Sequence, residues 1–277
     1  MSIDHTRTAG GVTSADGTRI ALHRSGTGPA VVLVDGALCY SGMGPGDALA
    51  SCLAKHFRVY QYDRRGRGLS ADSNRYAVQR ELEDLDAVVE AAGGSVCLWG
   101  MSSGALLALK YAAVHPEKIR KVSVYEAPCI VEGGHEPTQK DWGQIAEAVS
   151  RGSSGTAVRT FLKSIGLPRL AVAVMPILPF WSKLKAVAHT LPYDGAIVER
   201  YQRGQPLDGS EWEALTTLAQ VVIGGKSPPW MQNGNRALCA ALPSAHCVVL
   251  EGQTHDLKPT ALAPLLVRFF EPHAQTT

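Results

Sequence analysis

The sequence predicts an α/β protein built on a mostly parallel sheet with crossover helices, interrupted once by a helical insertion. Two patterns carry this. From about Ala30 to Glu126, apolar strand-like runs alternate with segments of helical periodicity, the signature of βαβ units. Between Thr138 and Gly209 only helix-like segments broken by Gly and Pro are found, and the alternating pattern then resumes at Ala219. A length of 277 residues suits one such domain with an insertion, or at most two domains.

The elements follow in order. Thr18 to His23 alternates after the turn signal Ser14-Ala15-Asp16-Gly17, so two antiparallel strands should flank that turn. Ala30 to Val34 is a continuous apolar run rich in valine, the pattern of a central strand buried on both faces. A helix over Asp47 to Lys55, a strand over Phe57 to Tyr62 and a helix over Val78 to Ala92, ended by Gly93-Gly94, come next. The insertion should contain helices near Trp142–Ser150, Thr156–Ile165 and Trp181–His189. After it come a strand over Ala219 to Gly224, a helix over Pro229 to Leu242, a strand over Cys247 to Leu250 and a last helix over Pro259 to Phe270.

The chemistry centres on Val96 to Ala105. A strand-type run stops at Gly100, and Ala105-Leu106-Leu107-Ala108-Leu109 opens a helix. Between them Gly100-Met101-Ser102-Ser103-Gly104 spells G-x-S-x-G, the strand–turn–helix of a nucleophile elbow. Ser102 stands at its centre and is the expected nucleophile; Ser103 is expected to pack or to start the helix. A serine hydroxyl needs an adjacent base. His255 alone among the nine histidines lies in a Gly-led loop between a late strand and the final helix.

Other classes are disfavoured. A net charge of +2 offers no basic footprint for nucleic acid or a membrane surface. No apolar run approaches a membrane span, and no basic segment followed by an apolar one opens the chain, so a cytoplasmic protein is expected. The six cysteines are scattered without a C-x-x-C pair, so free thiols are expected rather than disulfides or a metal site. The expected partner is a small-molecule substrate, with no cofactor, no metal, and a monomeric or homodimeric state.

These residues resemble the α/β-hydrolase family across nearly the whole chain. Besides the elbow, Tyr62-Asp63-Arg64-Arg65-Gly66-Arg67-Gly68-Leu69-Ser70 is similar to the family's D-x-R-G-x-G-x-S turn, and Gly252-Gln253-Thr254-His255 to its G-x-x-H turn. Asp35-Gly36 stands where many members have His-Gly. The resemblance implies an α/β-hydrolase fold: an eight-stranded, mostly parallel sheet flanked by helices, with a core of residues 1–130 and 210–277 and a helical cap of residues 131–209. It implies an oxyanion hole made by the backbone N–H groups of Ala37 and Ser103. The charged turn is expected to be structural, with Asp63 bonded to backbone and Arg65 to nearby carboxylates.

The chain departs from the common pattern at the acid. Where many members place an aspartate after the post-cap strand, Gly224-Gly225-Lys226-Ser227-Pro228 offers Ser227, and no Asp or Glu occurs from Val221 to Leu242. The resemblance points instead to Glu126, at the end of the strand after the elbow helix; Asp256 and Asp194 are weaker alternatives. The zearalenone-type lactone hydrolases are similar in their W-G-x-S-S-G elbow and their strand-end glutamate followed by proline, matched here by Trp99 to Gly104 and Glu126-Ala127-Pro128. This implies a Ser102–Glu126–His255 order and a serine hydrolase acting on a fairly hydrophobic ester or lactone. A biosynthetic use of the fold, as a cyclase, dehydratase or cofactor-free oxygenase, stays open. Leu38, Tyr40, Met101, Met175, Trp181 and Trp230 are the expected pocket residues, chosen for bulk and for the apolar run Leu170 to Trp181.

Overall fold

A computed structural model describes residues 8–73, 75–132 and 139–271. The strands are β1 (Thr8–Thr13), β2 (Arg19–Ser25), β3 (Ala30–Val34), β4 (Arg58–Tyr62), β5 (Val96–Met101), β6 (Ile119–Tyr125), β7 (Ala219–Gly224) and β8 (Ala245–Leu250). They form one eight-stranded sheet in the order β1-β2-β4-β3-β5-β6-β7-β8. β1 and β2 pair antiparallel around the expected turn, β2 pairs antiparallel with β4, and all later pairings are parallel.

The valine-rich runs are explained by burial on both faces. Alternate residues of one strand point to opposite sides. Val32 and Val34 join the core under α2 (Val78–Ala91) and α3 (Ser103–Val114), whereas Val31 and Leu33 join the core under α1 (Gly46–Leu53) and α10 (Pro259–Phe270). α9 (Pro229–Ala241) packs on the α3 side through Leu238.

Between β6 and β7 the described chain holds only helical elements. These are α4 (Gln139–Ser150), α5 (Ser154–Ser164), α6 (Arg169–Val174), α7 (Trp181–Ala186) and α8 (Leu191–Val198), with short 3₁₀ turns between them. α6 and α8 were not distinguishable in the sequence: α6 has six residues, and α8 is apolar around most of its circumference because it is buried on several sides. The inserted helices share the α3-side core through Ile145, Val158, Leu191 and Ile197. No helix among the described residues is long and apolar enough to cross a membrane. The described cysteines are all free; Cys97 and Cys129 are buried, while Cys247 is exposed on the edge strand β8.

Candidate active site

Among the described residues three non-glycines have positive φ, and all three follow the C-terminal ends of parallel strands: Leu38 (62°), Ser102 (54°) and Glu126 (46°). Such backbone is costly for side-chain-bearing residues and persists where its surroundings enforce it. At Ser102 the enforcement is visible. A methyl group at Gly100 would lie 2.4 Å from the Gly104 carbonyl oxygen, and one at Gly104 would lie 2.3 Å from that of Val34. The two glycines of the motif let strand, turn and helix close on one another. The Ser102 N–H donates to the Tyr125 carbonyl at 3.0 Å, tying the turn to β6. α3 begins at Ser103, so its first N–H groups, which have no partner inside the helix, open beside Ser102.

Glu126, one residue beyond β6, is fully buried. Its Oε1 accepts the Gly224 N–H at 2.9 Å, and its Oε2 stands 3.0 Å from Nδ1 of His255. The Tyr125 hydroxyl donates to the Thr254 carbonyl at 2.6 Å, so the loop bearing His255 is anchored to the strand end that bears Glu126. The carboxylate against His255 is therefore Glu126, from the strand that follows the elbow helix. Ser227 occupies the alternative position: both its Oγ and Glu126 Oε1 lie 2.7 Å from where a Gly224 methyl would stand. Its hydroxyl is buried without a hydrogen-bond partner among the described residues.

Ser102, Ala37 and Ser103 share the floor of a cavity of about 320 Å³, including its open mouth. Pro128, Trp142, Phe161, Ile165 and Val198 give it apolar walls; Ser164, Asp194 and Gln202 add polar groups. Gln202 Oε1 accepts the Trp142 indole N–H at 2.8 Å. A larger depression, about 540 Å³ with its open solvent, lies between α1 and the β2–β4 edge and contains none of these groups.

The lining corrects the sequence reading. Leu38, Tyr40, Met101, Met175, Trp181 and Trp230 are not among the described residues of the cavity beside Ser102. Met101 points into the core under α1 and α10, and Trp181 is buried among the inserted helices. Much of the apolar run Leu170 to Trp181 faces solvent, with Leu170 78% and Ile177 83% exposed. The walls come instead mainly from α4, α5 and α8; the amphipathic faces of α4 and α5 (Trp142 with Ile145, Val158 with Phe161) were the available signal. Hydrophobic bulk in the sequence did not distinguish an inward from an outward face.

Asp194 does not reach His255; it closes a buried ionic cluster. Arg64 grips Glu81 with two bonds of 2.6 Å and donates to Asp194 Oδ1 at 2.8 Å. Arg67 donates to Asp194 Oδ2 at 2.7 Å. Burial pushes the Asp194 carboxyl up, but the Arg67 and Arg64 guanidiniums outweigh it and hold it below its ordinary range. The structural role expected for the charged turn is seen in its contacts. Asp63 accepts the Ser41 and Leu69 N–H groups at 2.7 and 2.8 Å, and Arg65 pairs with Asp84 and Asp16. Among the described residues no cluster of His, Cys, Asp and Glu is placed to hold a metal ion.

Residues 22–265 match the family described as the Alpha/beta hydrolase family. A pimeloyl-acyl-carrier-protein methyl ester esterase of Nitrosomonas europaea is 30% identical over 131 residues, 45% of this chain and 46% of that protein. The chain spans about half the length of the curated relatives it matches. An alpha/beta hydrolase of Sphaerobacter thermophilus, known as a crystal structure, is 42% identical with a TM-score of 0.86, over 95% of this chain and 100% of that one. An enol-lactonase of Burkholderia xenovorans, 18% identical with a TM-score of 0.65 over 95% of this chain and 96% of that one, shares the fold.

Proposed function

The chain belongs to the alpha/beta hydrolase family, and from that premise we propose that it is a serine hydrolase that cleaves a carboxylic ester or lactone of a fairly hydrophobic small molecule. The observation that carries this reading is the buried Glu126 carboxylate 3.0 Å from His255 Nδ1, at the same strand ends as the strained Ser102. With Nδ1 turned to Glu126, His255 keeps Nε2 to take the proton from Ser102 as its oxygen attacks the acyl carbon. Glu126 holds the imidazole in the right tautomer and stabilises it once protonated. The N–H groups of Ala37 and Ser103 receive the oxyanion. Collapse of the tetrahedral intermediate expels the alcohol, which takes its proton from His255. Water then attacks the acyl-enzyme by the same route and frees Ser102. No step calls for a cofactor.

The inserted helices serve as a cap over the site, and their Trp142, Phe161, Ile165 and Val198 receive the apolar part of the substrate. The space between these walls and Ser102 is narrow and suits a compact acyl group. The lactone option rests on the likeness of Trp99 to Gly104 and Glu126 to Pro128 to zearalenone-type lactone hydrolases.

A fluorophosphonate probe tests the nucleophile. The wild-type protein should label stoichiometrically and Ser102→Ala should not. A wild-type protein that fails to label, or equal labelling of the variant, would refute the assignment.

A further inference from the structure

We propose that Arg67 is a positioning residue for this reaction: it sets the direction of the Ala37 N–H, and with Asp194 it makes the oxyanion site depend on how the inserted helices are seated. The inference rests on the hydrolase reading above and adds to it a link between cap and chemistry.

The three directions of the Arg67 guanidinium are all committed. Nη1 donates to the Gly36 carbonyl at 2.7 Å, Nη2 to Asp194 Oδ2 at 2.7 Å, and Nε to Thr190 Oγ1 at 3.1 Å. The group is 1% exposed, so water does not compete for these bonds. The Gly36–Ala37 peptide is planar and trans, which places the Gly36 C=O and the Ala37 N–H on opposite sides of one plane. Fixing the carbonyl therefore fixes the N–H, and drawing electron density toward the carbonyl oxygen strengthens that N–H as a donor. The loop has little other freedom: a methyl at Gly36 would stand 3.0 Å from Ser102 Cβ.

The second donor is tied to the same cluster. The Ser103 hydroxyl donates to Asp194 Oδ1 at 2.7 Å and accepts from Arg64 Nη1 at 3.3 Å. Both backbone groups that would face the oxyanion thus lead to Asp194 on α8, Ala37 through the Gly36 carbonyl and Arg67, Ser103 through its own hydroxyl. Thr190, just before α8, takes the remaining Arg67 bond. The ionic groups balance, with Arg64 and Arg67 against Glu81 and Asp194, so the cluster orients the donors without leaving an uncompensated charge beneath a developing anion.

The test compares wild type with Arg67→Lys, a variant that keeps the charge but cannot hold the three directions at once. Turnover of p-nitrophenyl acetate is measured per active site titrated with a fluorophosphonate, alongside the inhibition constant of a phenylboronic acid, whose serine adduct carries an oxygen into the oxyanion position. Complete loss of one such donor costs about 10²–10³ in rate. A misaligned donor should lower kcat about 10–100-fold with KM within about twofold, and weaken the boronate by a similar factor. If Arg67→Lys does not fold, Ser103→Ala, which keeps its N–H but loses the link to Asp194, should show the same signature at about 3–10-fold. Unchanged kcat per titrated site in the folded variant, whatever its melting temperature, would overturn the proposal while leaving the hydrolase reading intact. A wild type that neither labels nor cleaves the ester would overturn both.

Discussion

Asp35, one residue beyond β3, opens the oxyanion loop and is buried with little to support a charge. Gln61 Nε2 donates to its Oδ2 at 3.3 Å, and its Oδ1 has no hydrogen-bond partner among the described residues. Burial, reinforced by the nearby Asp47 and Asp63 charges and opposed by Gln61 and Arg67, pushes its pKa from an ordinary 3.8 to about 6. The folded protein therefore holds this proton more tightly than the unfolded chain. Its contribution to stability is fully present below about pH 3.8, is lost as pH rises through about 6, and becomes a cost above that. At about 1.4 kcal/mol for each pH unit, the full cost is about 3 kcal/mol. Asp35→Asn removes the charge and keeps an acceptor for Gln61, but its amide N–H groups need partners, which takes back about 1 kcal/mol or more. A net gain of about 1–2 kcal/mol at pH 8 corresponds to a rise in Tm of about 2–8 °C for a protein of this size. At pH 4.5, where Asp35 is protonated in the folded protein, only about 1 kcal/mol of that cost is incurred and the amide penalty offsets it, so the gain should vanish. Thermal unfolding followed by circular dichroism at both pH values checks this. An equal change in Tm at pH 4.5 and pH 8, or a loss at pH 8, would refute the argument that Asp35 is a costly buried charge.

Two further outcomes follow from the site. Glu126→Gln preserves shape but leaves His255 without its charge partner, so kcat should fall by about 10⁴, as for the equivalent aspartate in a serine protease. Ser227→Ala, which removes a hydroxyl without a partner, should stay within about threefold; near-normal kcat in Glu126→Gln would end the acid assignment. Ile165 is 39% exposed at the cavity mouth, so Ile165→Ala should cost little stability while lengthening the acyl site. The ratio of kcat/KM for p-nitrophenyl hexanoate over acetate should rise by about 3–10-fold, about 1 kcal/mol or slightly more, and an unchanged ratio would place the acyl group elsewhere.

The order of strands and helices, the Ser102 turn and the two glycines that allow it were legible in the sequence, because they arise from local period and local sterics. A strand buried on both faces must be apolar throughout, as Val31 to Val34 are, and a turn this tight must exclude side chains at Gly100 and Gly104. Glu126 was legible only through likeness to other chains: nothing local distinguishes a carboxylate that meets a histidine 129 residues away. Tertiary structure alone decided the rest. It placed Asp194 against Arg64, Arg67 and Ser103, across separations of up to 130 residues, where mutual compensation of buried charge permits all of them to leave water. It also decided which apolar faces of the insertion line the cavity. Trp142 and Phe161 turn inward while Leu170 and Ile177 turn to solvent, because the direction of a side chain depends on what its helix packs against, and that partner lies elsewhere in the chain.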